Sequence, residues 1–424
     1  MDFKSLCVIG MGYIGLPTAS IFASTGLNVT GMDINPDIID GLRAGKVHIF
    51  EPGLQDLVMG ALESGRLKVE YEVKPADAFI IAVPTPFYED KRADMRAVIS
   101  AAEEILPYLK PGNLVILEST SPPRTTMDLV TPILETSGLK AGKDFLLAYS
   151  PERVLPGKIL QELVTNARVI GGINQVSAQA GRDLYRKFVK GDIILTDATT
   201  AEMVKLMENT SRDINIAIAN EFSRLAQQFD VDIWEAISIA NLHPRVNILR
   251  PGVGVGGHCV SVDPWFLVEA APEQSELIKT ARQVNDEQPI FVASVIEKAA
   301  GGLVGKTVAV LGLSFKPNVD DIRESPAVDL AEQLSQLGAD VYAYEPFRPN
   351  TSIEGIHNVN NMESALSKAD VLVLAVGHDQ FKELDPEAVR TMTPAKLVFD
   401  AVNAWEKSSW EAAGFQFSGM ARKY

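Results

Sequence analysis

Cysteine is nearly missing from this chain: two in 424 residues, at positions 7 and 259. Two thiols so far apart make neither a disulfide framework nor a zinc-ligand spacing, and thiols of this kind fit a reducing compartment, which makes the cytoplasm the expected location. Basic clusters are missing too. A formal charge of −16 with no Lys/Arg block argues against binding nucleic acid or an anionic membrane surface. Any anionic ligand must therefore meet a local basic pocket. No apolar run reaches membrane-spanning length, and Met-Asp-Phe-Lys leads straight into a strand pattern without signal-peptide organisation. What is present, 46% hydrophobic and 22% charged residues, is the balance of a soluble globular protein, too long for one core and expected to form two or three domains.

The densest local signal is Pro251-Gly-Val-Gly-Val-Gly-Gly-His-Cys259, followed by Val260-Ser-Val-Asp263-Pro-Trp265. Glycine at 252, 254, 256 and 257 removes Cβ bulk around a thiol, which suits a loop whose backbone approaches a ligand closely. Asp263 follows Cys259 by four residues, so a helical continuation would put carboxylate and thiol on one face. The other reading is a tight turn around an inert, buried cysteine.

Near the start, Ser5-Leu-Cys-Val-Ile-Gly10 is a short apolar run ending in Gly10-Met-Gly12-Tyr13-Ile14-Gly15, after which Leu16 to Ser24 reads as a helix. Strand, glycine turn and helix together can receive a pyrophosphate on the helix N-terminus. A second strand, Asn28 to Asp33, ends in an acid where this fold places a ribose-binding carboxylate. No arginine adjoins Asp33 to take a 2′-phosphate, so NAD is preferred over NADP. Cys7, inside the first strand, reads as core. Asp77–Val83, Leu114–Leu117, Leu146–Ser150, Val169-Ile170 and Ile193–Leu195 continue as strands, and polar residues follow several of them. Thr85 and Thr120 stand where a hydroxyl either touches ligand or caps a turn, and Glu152-Arg153 follow a strand end as well.

From Thr199 the periodicity becomes helical and runs through Phe222 to Phe229; Lys205, Asn209 and Arg212 fall at i, i+4 and i+7 on one face, solvated or serving an oxyanion. A second helical stretch spans about Ser275 to Ala300. Gly301, Gly302 and Gly305 mark a linker. Beyond it Lys306 to Leu311 opens a second βα domain in which Gly312-Leu-Ser-Phe315-Lys316-Pro replaces the glycine fingerprint, so a mononucleotide is expected there rather than a second dinucleotide. Arg323, ahead of a helix start at Ser325-Pro326, is a candidate phosphate partner. The pattern predicts an α/β protein: two Rossmann-like doubly wound domains, residues 1–198 and 301–424, joined by a central helical region, 199–300, that carries the cysteine loop.

These motifs in this order, with Val-Pro-Thr85-Pro, Glu-Ser-Thr120, Ser-Pro-Glu152-Arg153, Ala-Glu-Met-Val-Lys205-Leu-Met-Glu-Asn209 and Phe315-Lys316-Pro-Asn, resemble the UDP-glucose/GDP-mannose 6-dehydrogenase family over nearly the whole chain. Within the family, Pro-Glu-Arg-Val-Leu-Pro-Gly, His243-Pro-Arg245-Val-Asn-Ile-Leu and the glycine-cysteine loop resemble the branch acting on UDP-N-acetyl-D-mannosamine. Val262 stands where the UDP-glucose branch usually has lysine, and Arg153-Val-Leu-Pro156 replaces a longer hydrophobic-acidic run.

The resemblance implies a four-electron oxidation of the sugar C6 alcohol to a carboxylate with two NAD⁺, supplying a uronic acid for surface polysaccharide. It implies that Cys259 traps the aldehyde as a thiohemiacetal, later a thioester, while Lys205 and Asn209 stabilise the oxyanions. Asp263, with Thr120 and Glu152, would supply acid-base function and order the water. Either Lys205 or Asp263 takes the first proton. By the same carry-over Gly10, Gly12, Tyr13, Ile14, Gly15, Asp33, Thr85, Thr120 and Arg323 hold NAD. A UDP-N-acetylhexosamine meets Arg153, Val154, Lys205, Asn209, Arg212, His243, Arg245, Gly256, Phe315 and Lys316, with the C-terminal domain binding the UDP-sugar and the central helices forming a homodimer or higher homo-oligomer. His243, before proline, could instead only cap a turn. Rival readings are UDP-N-acetylglucosamine, UDP-N-acetylgalactosamine or UDP-glucose as substrate, a two-electron 3-hydroxyacid dehydrogenase that would not need Cys259, and a non-catalytic nucleotide-binding regulator.

Overall fold

The computed structural model describes residues 1–155 and 157–421; Pro156, quoted above in the run after Glu152, lies outside them. The first half builds an eight-stranded sheet from β1 (Ser5–Ile9), β2 (Asn28–Met32), β3 (Leu67–Glu70), β4 (Ala78–Ile81), β5 (Leu114–Leu117), β6 (Leu146–Tyr149), β7 (Arg168–Gly172) and β8 (Ile193–Asp197). Their order is 3-2-1-4-5-6-7-8. Every neighbouring pair is parallel except β6 with β7. That reversal corrects the expectation of a uniformly parallel continuation. Strands β4, β5 and β6 are buried at every position because helices cover both faces, which is why they read as unbroken apolar runs rather than alternating ones.

The second sheet comprises β9 (Thr307–Leu311), β10 (Asp340–Tyr344), β11 (His357–Val359), β12 (Val371–Leu374), β13 (Leu397–Asp400) and β14 (Gln416–Gly419). All its pairs are parallel in the order 11-10-9-12-13-14, the doubly wound pattern again. In both sheets the strand order reverses beside the first strand, between β1 and β4 and between β9 and β12. Ligands bind outside the strand ends at such points.

Between the sheets in sequence stands the 32-residue helix Ala198–Phe229. By contacts the chain divides into two compact units, and this helix passes from one to the other after Glu208; residues 265–272 belong with the first unit and the rest of the central region with the second. The expected helix from Ser275 to Ala300 is two helices, Glu276–Asp286 and Gln288–Ala300. Pro289 sits at the second position of the latter, where its missing N–H costs nothing but where the preceding helix must end. Local start signals hold elsewhere. Asn35 accepts the Asp37 N–H, Asp232 accepts those of Trp234 and Glu235, and Ser325 caps the helix Pro326–Gln336. Among the described residues no helix is long and apolar enough to cross a membrane.

Neither cysteine forms a disulfide, and the two differ in surroundings. Cys7 is fully buried in β1, and burial pushes its thiol up to about 11. Cys259 is exposed. Alkylation of the native protein with iodoacetamide at pH 7.5 is therefore expected to place one label, on Cys259, with Cys7 reacting only after denaturation. Peptide mass spectrometry finding Cys7 labelled in the native protein would contradict this.

Candidate active site

In the first unit the turn after β1 is shaped by its glycines. Gly10 has φ +94° and donates its N–H to Met32 O at 2.8 Å. A Cβ on Gly15 would lie 1.8 Å from Gly10 O, so no side chain fits where the helix Gly15–Ser24 leaves the turn. Gly12 differs: nothing lies within 4 Å of its missing Cβ. That open space faces a helix start that no side chain caps, which suits a pyrophosphate. Asp33, half-buried beyond β2, accepts the Met11 N–H at 2.8 Å and the Asn35 N–H at 2.9 Å, fixing a carboxylate for a ribose diol. Tyr13 and Ile14 lie between these features, Tyr13 exposed and Ile14 half-buried. The turn, the uncapped helix and the carboxylate fit NAD.

At the ends of β4 and β5, Thr85 Oγ1 donates to Thr120 O at 2.7 Å and Ser119 Oγ to Val83 O at 2.7 Å, so the two expected threonines are tied together. Glu152, just beyond β6, accepts the Arg153 N–H at 2.7 Å and Arg168 Nη1 at 2.8 Å. Arg168 and its other partners were not singled out from sequence. Its guanidinium is buried on β7, pairs with Glu118, donates to Ser150 Oγ at 2.9 Å and stacks 3.8 Å over the Tyr185 ring. The Tyr185 hydroxyl donates to Glu118 at 2.9 Å. One guanidinium thus lies between two carboxylates, and burial pushes Glu118 up to about 7 despite the pull of Arg168. Arg153 turns to Glu208 at 2.7 Å and to Ala167 O at 2.9 Å, and Val154 packs partly buried on the first core.

Glu202 anchors the long helix in the same unit. Its buried carboxylate accepts the N–H groups of Arg124 and Thr126 and the Thr126 hydroxyl. Lys205 follows one turn later and is only 7% exposed, and its ammonium has no hydrogen-bond or ion-pair partner among the described residues. A buried cation without a protein acceptor is suited to a ligand oxygen.

In the second unit the cysteine loop is gripped by its backbone. Gly252 donates to Asn220 Oδ1 at 3.0 Å, and its carbonyl accepts Gln288 Nε2 at 3.2 Å. Asn220 is itself held by Asn285, which also bonds Asp213, the buried partner of Arg282. Further on, a Cβ at Gly256 would stand 2.1 Å from Glu324 O and 3.0 Å from Phe315 Cβ; at Gly257, with φ +87°, it would meet the Phe315 ring at 2.8 Å. The two expected substrate residues Gly256 and Phe315 are thus in contact because the loop has no side chain there.

Past this contact the Asp263 N–H donates to Cys259 O at 2.8 Å, and Asp263 then opens the helix Asp263–Ala270. Its buried carboxylate accepts Asn209 Nδ2. The exposed thiol is therefore one backbone turn from a buried Asn–Asp pair. His258 pairs with Asp321 at 3.3 Å, and Asp321 holds Arg323 through two bonds of 2.8 Å. Burial works to raise the Asp321 carboxyl, but the Arg323 and His258 bonds take it well below the usual range. Asp321 was another residue not singled out from sequence. Arg212 is exposed, as are His243 and Arg245, whose turn is closed by the Arg245 N–H on His243 Nδ1 at 3.3 Å; this is the capping alternative for His243. A cavity of about 300 Å³ at the β9/β12 switch point is lined by Phe315 with Arg250, Lys382 and Asn403, and Lys316 is half-buried beside Phe315 in the chain. Arg250 and Lys382 add the local positive charge that the acidic composition required.

Three family profiles match: the NAD binding domain of the UDP-glucose/GDP-mannose dehydrogenase family over residues 4–189, its central domain over 199–287 and its UDP binding domain over 309–407. A UDP-N-acetyl-D-mannosamine dehydrogenase of Methanocaldococcus jannaschii is 46% identical, covering 97% of this chain and 95% of its own. An NDP-N-acetyl-D-galactosaminuronic acid dehydrogenase of Ralstonia solanacearum is 47% identical, covering 96% and 97%. The solved UDP-D-ManNAc dehydrogenase of Pyrococcus horikoshii has a TM-score of 0.92 at 41% identity over 99% of both chains. The chain belongs to the UDP-glucose/GDP-mannose dehydrogenase family: it is an NAD-dependent oxidoreductase carrying a UDP binding domain.

The buried Glu118 gives a pH signature. Its folded-state value is raised above 4.5, so the stability it contributes is present below that value and is lost as pH rises through about 7. Glu118→Gln should therefore gain on the wild type in melting temperature between pH 5 and pH 8. A difference that stays flat over that range would contradict the raised value.

Proposed function

We propose that the protein oxidises UDP-N-acetyl-D-mannosamine at C6 to UDP-N-acetyl-D-mannosaminuronate in the cytoplasm, a four-electron reaction that supplies surface-polysaccharide synthesis. The observation that carries it is the exposed Cys259 thiol, one turn from the buried Asp263–Asn209 pair, in a chain whose first sheet fits NAD. A two-electron dehydrogenase or a nucleotide-binding regulator has no use for such a thiol. Residues 1–198 hold the cofactor in this reading, 199–300 carry the cysteine loop, and 301–424 bind the UDP-sugar.

Bound NAD⁺ supplies the hydride acceptor for both oxidations. The protein's own residues do the rest. Cys259 thiolate adds to the C6 aldehyde, forming a C–S bond and moving the carbonyl pair onto oxygen as a thiohemiacetal alkoxide. Holding the aldehyde covalently prevents its escape before the second oxidation. Lys205 and Asn209 donate to the alkoxide and later to the tetrahedral oxyanion, a contribution for which loss of one donor typically costs about 10²–10³ in rate. Asp263 moves protons at the C6 oxygen. Glu152, with Thr120, orders the water that attacks the thioester carbonyl, releasing the carboxylate and returning the thiolate.

Gly10, Gly12, Tyr13, Ile14, Gly15, Asp33, Thr85 and Arg323 hold the cofactor, and Arg153, Val154, Arg212, Gly256, Phe315 and Lys316 the substrate. His243 and Arg245, displayed on an exposed turn, suit the site of a second copy. Ile218, Phe222, Leu225 and Phe229, all exposed at spacings of four, three and four on the long helix, support a homodimer.

The test is NADH formed per limiting sugar. Two per UDP-N-acetyl-D-mannosamine are expected, with slow turnover of the gluco and galacto epimers and of UDP-glucose, and with steady-state turnover lost in Cys259→Ser. One NADH per sugar would overturn the four-electron reaction, and faster turnover of the galacto epimer, the sugar series named for the Ralstonia relative, would move the substrate.

A further inference from the structure

The two sheets share a detailed turn geometry at their switch points. Gly10 and Gly312 have φ of +94° and +92°, and donate to Met32 O and Tyr344 O at 2.8 and 2.9 Å. The next N–H in each chain, of Met11 and Leu313, donates at 2.8 Å to an acid just past the second strand, Asp33 and Glu345. Each acid then accepts the N–H two residues further on, from Asn35 at 2.9 Å and Phe347 at 3.1 Å. The second turn is therefore built like a ribose-binding turn. It differs in what stands opposite the carboxylate. Ile9 pairs with Ile81 and Leu311 with Leu374, so Thr85 and His378 occupy equivalent positions four residues beyond the paired strand residue.

His378 is completely buried, as is the Glu345 it meets, whereas Asp33 is half-buried. Its tautomer follows from its partners. Nδ1 accepts the Asn318 N–H at 2.9 Å, so the ring proton is on Nε2, which faces Glu345 at 3.1 Å and Ser314 Oγ at 3.3 Å. Ser314 Oγ spends its own proton on Lys316 O at 2.8 Å. At the other end Asn318, with φ +62°, exchanges side-chain bonds with Asp379 at 2.7 and 3.0 Å. One imidazole thus holds both ends of the loop 314–318, and between those ends stand Phe315 and Lys316.

We propose that His378 is the positioning residue of the nucleotide loop: it spans Ser314 and Asn318 so that Phe315 and Lys316 are held for the UDP moiety, while its ring fills the ribose position that the first sheet leaves open. This rests on the reading of the second domain as the UDP site. It also accounts for a Rossmann turn that keeps its acid but takes no dinucleotide. The acid's partner is supplied from within the chain.

Two substitutions separate the ring's bonds. His378→Asn can place an amide oxygen near Nδ1 and keep the Asn318 acceptor. His378→Gln reaches the Nε2 position and keeps the Glu345 donor but loses that acceptor. Calorimetric titration of the full chain with UDP, and separately with NAD⁺, should show UDP affinity within about threefold of wild type for the Asn variant. The Gln variant should fall by about tenfold or more, the order expected when a buried N–H loses its acceptor, with NAD⁺ affinity unchanged in both. Equal UDP affinity in the two variants, or loss of NAD⁺ affinity in step with UDP, would overturn the proposal. A wild-type chain that binds no UDP would overturn the nucleotide reading itself, and this inference with it. Hydrogen exchange on the wild type needs no variant: the Asn318 amide should be protected before UDP is added, and its full exchange within seconds would count against His378 as its fixed acceptor.

Discussion

The close approach of the cysteine loop to Phe315 is the constraint on which the second unit's site depends. Any side chain at Gly256 or Gly257 would enter the Glu324 carbonyl or the Phe315 ring, so glycine is the one residue compatible with this path. The same loop is fixed upstream by Asn220 and Gln288, which bracket the two backbone groups of Gly252. Behind them the Asp213–Arg282 ion pair is almost wholly buried. Such a pair contributes little net stability, but removal of either partner leaves a charge stranded in the core. A nucleophile on a loop needs this kind of support, because small displacements at the reacting atom cost large factors in rate.

Charge is organised locally rather than globally. The chain carries a formal −16, yet the candidate ligand residues are cationic: Lys205 buried, Arg153 bound to Glu208, and Arg250 and Lys382 at the second switch point. A diphosphate is attracted by such clusters while the acidic remainder discourages nucleic acid. Carboxylates are managed in the same way. Arg168 pins Glu152 by one oxygen, leaving the other on the Arg153 N–H, and a water-ordering group held at both oxygens has little freedom to turn.

Legibility from sequence followed the range of the interactions. The glycine turn, Asp33, the apolar strands and the helix capped by Ser325 were readable because each depends on residues close in the chain. Asp263 was readable as a neighbour of Cys259 through its four-residue spacing, and the 2.8 Å backbone bond between them is local too. Arg168 was not, since its partners Glu118, Glu152 and Tyr185 lie on separate elements and a lone arginine in an apolar strand gives no sign of them. Asn220 and Gln288 look like ordinary helix-surface amides until Gly252 is placed between them. The reversed β7 was hidden because a short buried strand reads alike in either direction. The helix break near Glu287 was signalled by Pro289, but the apolar periodicity on both sides masked it.

The account stands or falls on the covalent role of Cys259. The direct measurement is intact-protein and peptide mass spectrometry of Glu152→Gln, quenched in acid after incubation with NAD⁺ and UDP-N-acetyl-D-mannosamine. Slowed hydrolysis should let the acyl-enzyme accumulate, so a UDP-uronyl adduct on the peptide containing Cys259 is the predicted result, removable by hydroxylamine. NADH formed by this variant with Cys259 unmodified throughout, together with turnover by Cys259→Ser, would contradict it.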